Sequence, residues 1–130
     1  MDALQALLGA DTDIKEQVYI KRLDTNFTVK ALDDEAFTDI QEEASSYVGT
    51  GSNRRKEIDE SKLNSLLVAK AVVDENGESL FKNAKLLEKY GAKTAEECVR
   101  KALLVGEIAT LVKAVLDISG FDNDVEDIKN

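Results

Sequence analysis

The sequence predicts an α+β fold, mostly α, with an N-terminal β-hairpin packed on a bundle of four to five helices. Three observations carry this. Apolar and polar residues alternate between residues 16 and 31, then recur with a helical period from residue 33 onward. Between the periodic stretches stand residues that stop helices, Gly49, Gly77, Gly91 and Gly120. The chain contains no Pro, so glycine and side-chain caps must supply most of this punctuation.

Residues 2–8 (DALQALL) predict a short helix stopped by Gly9. A helix of this length is marginal alone and must dock on something, in this chain or another. In residues 17–23 (QVYIKRL), Val18 and Ile20 point one way, Tyr19 and Lys21 the other. In residues 27–31 (FTVKA), Phe27, Val29 and Ala31 share one face. Asp24, Thr25 and Asn26 between them read as the turn of a hairpin over residues 16–31. A lone hairpin is barely stable, so its apolar face must pack on helices.

The helical part spans residues 33–120. Asp33 is the candidate N-cap of a helix whose stripe is Phe37, Ile40, Ala44, Tyr47 and Val48. Residues 49–52 (GTGS) open a loop, and residues 53–56 (NRRK) hold the basic cluster of the chain. The next helix is read over residues 59–73, with Leu63, Leu66, Leu67 and Ala71 inward, broken by residues 74–77 (DENG). Asn83 caps a helix through Tyr90, closed by Gly91. Thr94 to Glu97 spells a capping box, and Ala95, Cys98, Val99, Ala102 and Leu103 form the stripe behind it. A last helix begins near Gly106 and Glu107, with Ile108, Leu111, Val112, Val115 and Leu116 inward. The tail, residues 121–130, sets Phe121, Val125 and Ile128 among four acids. No repeat or linker divides the chain, so residues 1–130 read as one domain with soft segments at 49–58 and 119–130.

Composition excludes several function classes. With no His there is no Ser-His-Asp or Cys-His dyad and no HExxH zinc helix. One Cys forbids an internal disulfide and a four-Cys zinc site. Twenty-six acids against 17 bases give a net charge of −9, which disfavours a nucleic-acid binder. No apolar run approaches the roughly 18 residues of a membrane span, and the acidic start Met1-Asp2-Ala3 lacks the basic region of a signal peptide. No membrane contact and no cofactor are therefore expected.

The remaining motifs reduce to plain readings. Gly49 and Gly51 followed by Lys56 miss the GxxxxGK[ST] spacing of a phosphate loop. Setting Gly77 at position 6 of a calcium loop puts Val72 and Asn83 where Asp and Glu are required. Glu57, Asp59 and Glu60 cancel the field of Arg54, Arg55 and Lys56. Cys98 lies on an apolar stripe with no His to act as its base. Paired carboxylates such as Glu96 and Glu97 diverge by about 100° on a helix and read as a solvated face. A carboxylate–metal enzyme is the least favoured of three readings. The second is a permanent structural or adaptor component of an assembly.

The first comes from a resemblance. IKRL (residues 20–23), FTVKAL (27–32) and Glu35 opening a helix resemble the N-terminal part of the XkdN-like phage tail assembly chaperones. LLEKYG (86–91), TAEE (94–97), GEI (106–108) and SGF (119–121) follow in the order of that family, over roughly residues 4–128. Val105 and Asp74-Glu75 stand where the family often has Pro. The resemblance implies a non-enzymatic chaperone that keeps the tape-measure protein soluble in the host bacterial cytoplasm. It would help tail-tube protein polymerise and be absent from the mature virion. Contact with tail-tube protein and self-association are secondary expectations. The amphipathic helices and the excess like charge suit such a role. The candidate partner-binding residues are Leu4, Leu7 and Leu8 at the front and Phe121, Val125 and Ile128 at the back.

Overall fold

The computed structural model describes residues 2–121. The short N-terminal helix forms as α1 (Ala3–Gly9). The Asp2 carboxylate accepts the Gln5 N–H at 2.9 Å, and the Gln5 side chain accepts the Asp2 N–H at 3.3 Å. This reciprocal box satisfies two donors that a helix start leaves open.

The hairpin follows as β1 (Lys15–Ile20) and β2 (Thr25–Lys30), antiparallel, with Lys15 opposite Lys30 and Ile20 opposite Thr25. Its turn lies earlier than the sequence suggests. A 3₁₀ turn at Lys21–Leu23 and Asp24, at φ +48°, make the reversal, while Thr25 and Asn26 join the strand. Asp tolerates the left-handed conformation, and β-branched Thr25 fits the ladder. The alternation holds: Ile20 and Val29 are buried, and Val18 and Phe27 pack against the core.

α2 (Asp34–Glu43) starts at the expected cap, with Asp33 accepting the Ala36 N–H at 2.9 Å. It does not continue to Val48. Ser45 donates its hydroxyl to the Gln41 carbonyl, and Ser45–Val48 becomes β3, paired antiparallel with β4 (Arg55–Ile58). Tyr47 stands exposed with the Arg54 guanidinium 4.6 Å from its ring centre. The soft segment 49–58 therefore contains a strand. Its tight return passes Gly49, at φ +84°, where an added Cβ would lie 2.5 Å from the Asn53 carbonyl oxygen.

α3 (Glu60–Ala71) ends two residues short of the expected boundary. Val72–Val73, two β-branched residues, form β5 and pair with Val29 and Thr28, giving the sheet order β1-β2-β5. α3 is the centre of the molecule: Ser65, Leu66, Leu67, Val68, Ala69 and Ala71 are all buried. The Ser65 hydroxyl donates to the Ser61 carbonyl at 3.1 Å, so its burial strands no polar group.

α4 (Ala84–Tyr90) has the expected ends, with Asn83 accepting the Lys85 N–H at 2.9 Å and Gly91 left-handed at φ +60°. α5 (Ala95–Ala102) uses half of its capping box. Thr94 accepts the Glu97 N–H at 3.1 Å, while the Glu97 carboxylate pairs with Lys101 at 3.0 Å. α6 (Val105–Ile118) packs along the hairpin and α3, burying Leu111 and Val115. The hairpin thus rests on helices as expected, and five α-helices follow it among the described residues.

Leu111 has no exposed surface, whereas Leu7 is 76% exposed. Leu111→Ala should cost about 2–5 kcal/mol through lost transfer energy and a residual cavity. Leu7→Ala should stay within about 0.5 kcal/mol of wild type. Urea unfolding of both variants checks the pair.

Candidate functional site

The groups that could carry chemistry are engaged structurally. Cys98 is fully buried, and burial pushes its thiol pKa up, away from the reactive thiolate. Asp74 closes a turn by accepting the Asn76 and Glu78 N–H groups at 2.8 and 3.1 Å. In the basic cluster, Arg55 pairs with Glu57 at 2.9 Å and Lys56 with Glu42 at 2.7 Å. Among the described residues no three His, Cys, Asp or Glu side chains gather as a metal site, and no helix is long and apolar enough to cross a membrane.

Exposed apolar surface is a stronger signal, and it collects at two ends of the hairpin. At the open end lies α1. Leu4, Leu7 and Leu8 are exposed at 66%, 76% and 78%, and no residue of α1 is buried. Their spacing of three and four puts them on one face. The connection to β1 is folded locally: Asp13 N–H donates to Asp11 at 2.8 Å, Ile14 N–H to the Thr12 carbonyl at 2.9 Å, and Ala31 N–H to the Ile14 carbonyl at 2.8 Å.

The end of α6 reaches the same place. Leu32 N–H donates to Ser119 Oγ at 2.9 Å, and the Phe121 ring lies 5.0 Å from that of Phe37 at 60°. Thr12, Ile14, Ile118 and Ser119 line one cleft of about 620 Å³ there. The front candidates and Phe121 therefore lie toward one end of the body, although 113 positions separate Leu8 from Phe121 in sequence. Phe121 is partly held by Phe37. Val125 and Ile128 lie outside the described residues.

That cleft adjoins a larger one of about 950 Å³, with Lys30, Ala36, Asp39 and Lys70 lining both. Ile40, Leu66 and Ala69 give the larger cleft apolar lining, and charges of both signs rim it.

The opposite end of the hairpin is a feature the sequence reading missed. Arg22 donates to Glu107 through Nε at 2.7 Å and Nη2 at 2.8 Å, and from Nη2 to the Ala102 carbonyl at 3.1 Å. Glu107 also accepts the Leu104 N–H at 2.8 Å. This clamp draws the hairpin tip to the start of α6, bringing Leu23, Leu104 and Val105 to one end of the molecule, all exposed and Val105 at 86%. Leu104 and Val105 lie just before the helix start read near Gly106, and the tertiary pairing of Arg22 with Glu107 gathers them with Leu23.

Residues 4–130 match the family described as Phage XkdN-like tail assembly chaperone protein. The chain belongs to that family. The tail assembly chaperones are not an enzyme class. The chain is 30% identical over 105 residues to the uncharacterized protein YqbN of Bacillus subtilis (strain 168), covering 79% of this chain and 68% of the relative. The crystal structure of the protein YqbN superposes with a TM-score of 0.62 at 20% identity, covering 94% of this chain and 99% of that one. At that identity the superposition speaks for the fold. It agrees with an α+β architecture led by a hairpin.

Arg22 and the Leu104 N–H hold the Glu107 carboxyl below the usual carboxylate range. The pair therefore contributes stability that is complete above the ordinary value of about 4.3 and lost as pH falls through the depressed folded value. Glu107→Gln removes this contribution. The gap in urea midpoint between wild type and variant should be widest near neutral pH and shrink on acidification below about pH 4; a gap independent of pH would contradict the clamp.

Proposed function

We propose that this chaperone binds the tape-measure protein and keeps it soluble while the tail tube polymerises. It acts as one domain in the host bacterial cytoplasm and leaves before the virion is complete. The observation that carries this reading is α1, a helix whose leucine face is covered by nothing among the described residues. A two-turn helix is not stable by its own hydrogen bonds, so its leucines have a use only when covered. A tape-measure protein awaiting assembly presents long apolar helical stripes, and packing one such stripe on Leu4, Leu7 and Leu8 removes apolar area from water on both sides. Phe121 extends the same surface, and Val125 and Ile128 are its proposed continuation. The net charge of −9 supports solubility of the complex by repelling other copies. Tail-tube protein is the second partner this role would bring near.

Co-expression with a tape-measure fragment tests the reading. The wild-type chain should co-purify with the fragment. The triple variant Leu4→Asp, Leu7→Asp, Leu8→Asp should lose it, with the thermal midpoint of the free chaperone unchanged because those side chains support no core. Purified tails should lack the chain; finding it there at the stoichiometry of a tube subunit would mean a permanent structural component instead.

A further inference from the structure

We infer that Asn76 is a site of spontaneous deamidation, and that the turn built by Asp74 latches it, so that the side chain reacts when the turn opens. The modification falls on a wall of the larger cleft and is independent of the proposed function.

Asn76-Gly77 is the one Asn-Gly pair of the chain. In such a pair the glycine nitrogen attacks the carbon of the asparagine side-chain amide. A bond forms between Gly77 N and Asn76 Cγ, and the Cγ–Nδ2 bond breaks. The amide nitrogen departs as ammonia, and the proton lost from Gly77 balances the one it gains. Water then opens the resulting imide at either carbonyl, leaving Asp or isoaspartate at position 76. Glycine favours ring closure because no Cβ obstructs its nitrogen.

The surroundings admit the reaction. Asn76 and Gly77 are both exposed, and Asn76 is bonded through its backbone N–H, not through its side-chain amide. Gly77 has φ +81° and no atom within 4 Å of the place a Cβ would take, so the ring has room. Other asparagines are placed differently. Asn83 Oδ1 accepts two N–H groups at the start of α4, Asn64 lies within α3 and Asn26 within β2. Asn53 precedes Arg54, whose side chain crowds the attacking nitrogen.

Asp74 restrains the reaction. Its carboxylate accepts the Asn76 and Glu78 N–H groups at 2.8 and 3.1 Å, and its carbonyl accepts the Gly77 N–H at 3.0 Å. Gly77 must lose that proton to attack, so the bonded nitrogen is held in its unreactive form. Imide closure therefore draws on the fraction of molecules whose turn is open, as amide exchange does. Bonds to a charged acceptor are the stronger kind, and the Asp74 carboxylate supplies two of them.

The product changes the cleft. Asp74, Gly77, Glu78 and Ser79 line its wall. A new carboxylate at position 76 stands among Asp74, Glu75 and Glu78, and isoaspartate adds a methylene to the main chain inside the turn. That turn carries the Val73–Ser79 bridge, and the Ser79 hydroxyl donates to the Ala69 carbonyl at 2.6 Å.

Peptide mapping by mass spectrometry, during incubation of the full-length chain in mildly alkaline buffer, tests this. Unfolded in urea, wild type should deamidate at Asn76 ahead of every other asparagine. Folded wild type should react more slowly there. Folded Asp74→Ala should react about tenfold faster than folded wild type, the equivalent of ~1.4 kcal/mol of turn stability. The acceleration should be confined to Asn76, with Asn53 unchanged. Asp74→Asn keeps an acceptor oxygen and should fall between the two. Folded wild type that reacts as fast as the urea-unfolded chain overturns the latch, and this comparison stands even if Asp74→Ala does not fold. Folded Asp74→Ala no faster than wild type, or equally accelerated at Asn53, overturns it too. Another asparagine reacting ahead of Asn76 in urea overturns the assignment of the site.

Discussion

A twelve-residue helix with six buried residues cannot lie on one face of a core; it needs cover on every side. α3 takes that cover from α2, α5, α6 and the sheet, which β5 joins directly to the end of α3. The order of elements follows from this demand. β5 must leave α3 at Val72 to reach β2, so the sheet is anchored one residue after the helix it covers. α6 must then cross both the hairpin and α3, which places Leu111 and Val115 at full burial between them. The fully enclosed side chains are aliphatic, together with Cys98 and a self-satisfied Ser65. The interior is spent on packing.

What the core does not use, it leaves at the ends. α6 covers the hairpin along its length, so apolar residues beyond either end of that contact have nothing to pack on. At the open end these are the leucines of α1 and the outer side of Phe121; at the tip they are Leu23, Leu104 and Val105. The Arg22–Glu107 pair keeps the tip in shape by tying two distant parts of the chain, and Ser119 does the same with Leu32 at the other end. The chain belongs to a family of phage tail assembly chaperones.

Much of this was legible in the sequence wherever a local rule and the tertiary environment agree. Asn83, Gly91, Thr94 and the stripe from Ala95 to Leu103 stand where their spacing put them, because caps and 3.6-residue stripes are local physics. The stripe from Phe37 misled beyond Ala44. Tyr47 and Val48 have helical spacing, but what holds them is the cross-strand partners Lys56 and Arg55, and these lie in a polar segment with no alternation to reveal a strand. Val72 and Val73 looked like the last turn of a helix because a two-residue strand has no period of its own. The candidate site was half visible. An isolated leucine helix can dock on its own body or stand free, and residues 2–8 read alike in both cases; the tip patch depends on Arg22 meeting Glu107, 85 residues away.

The central claim is that the α1 leucine face is where the tape-measure partner lies. Amide hydrogen exchange, run on the chain alone and with a bound tape-measure fragment, measures this directly. The account predicts fast exchange across residues 3–9 in the free chain, strong protection there in the complex, and no change in the already protected α3. Protection confined to α3 or to the clefts beside it, with residues 3–9 exchanging as fast as before, would contradict it.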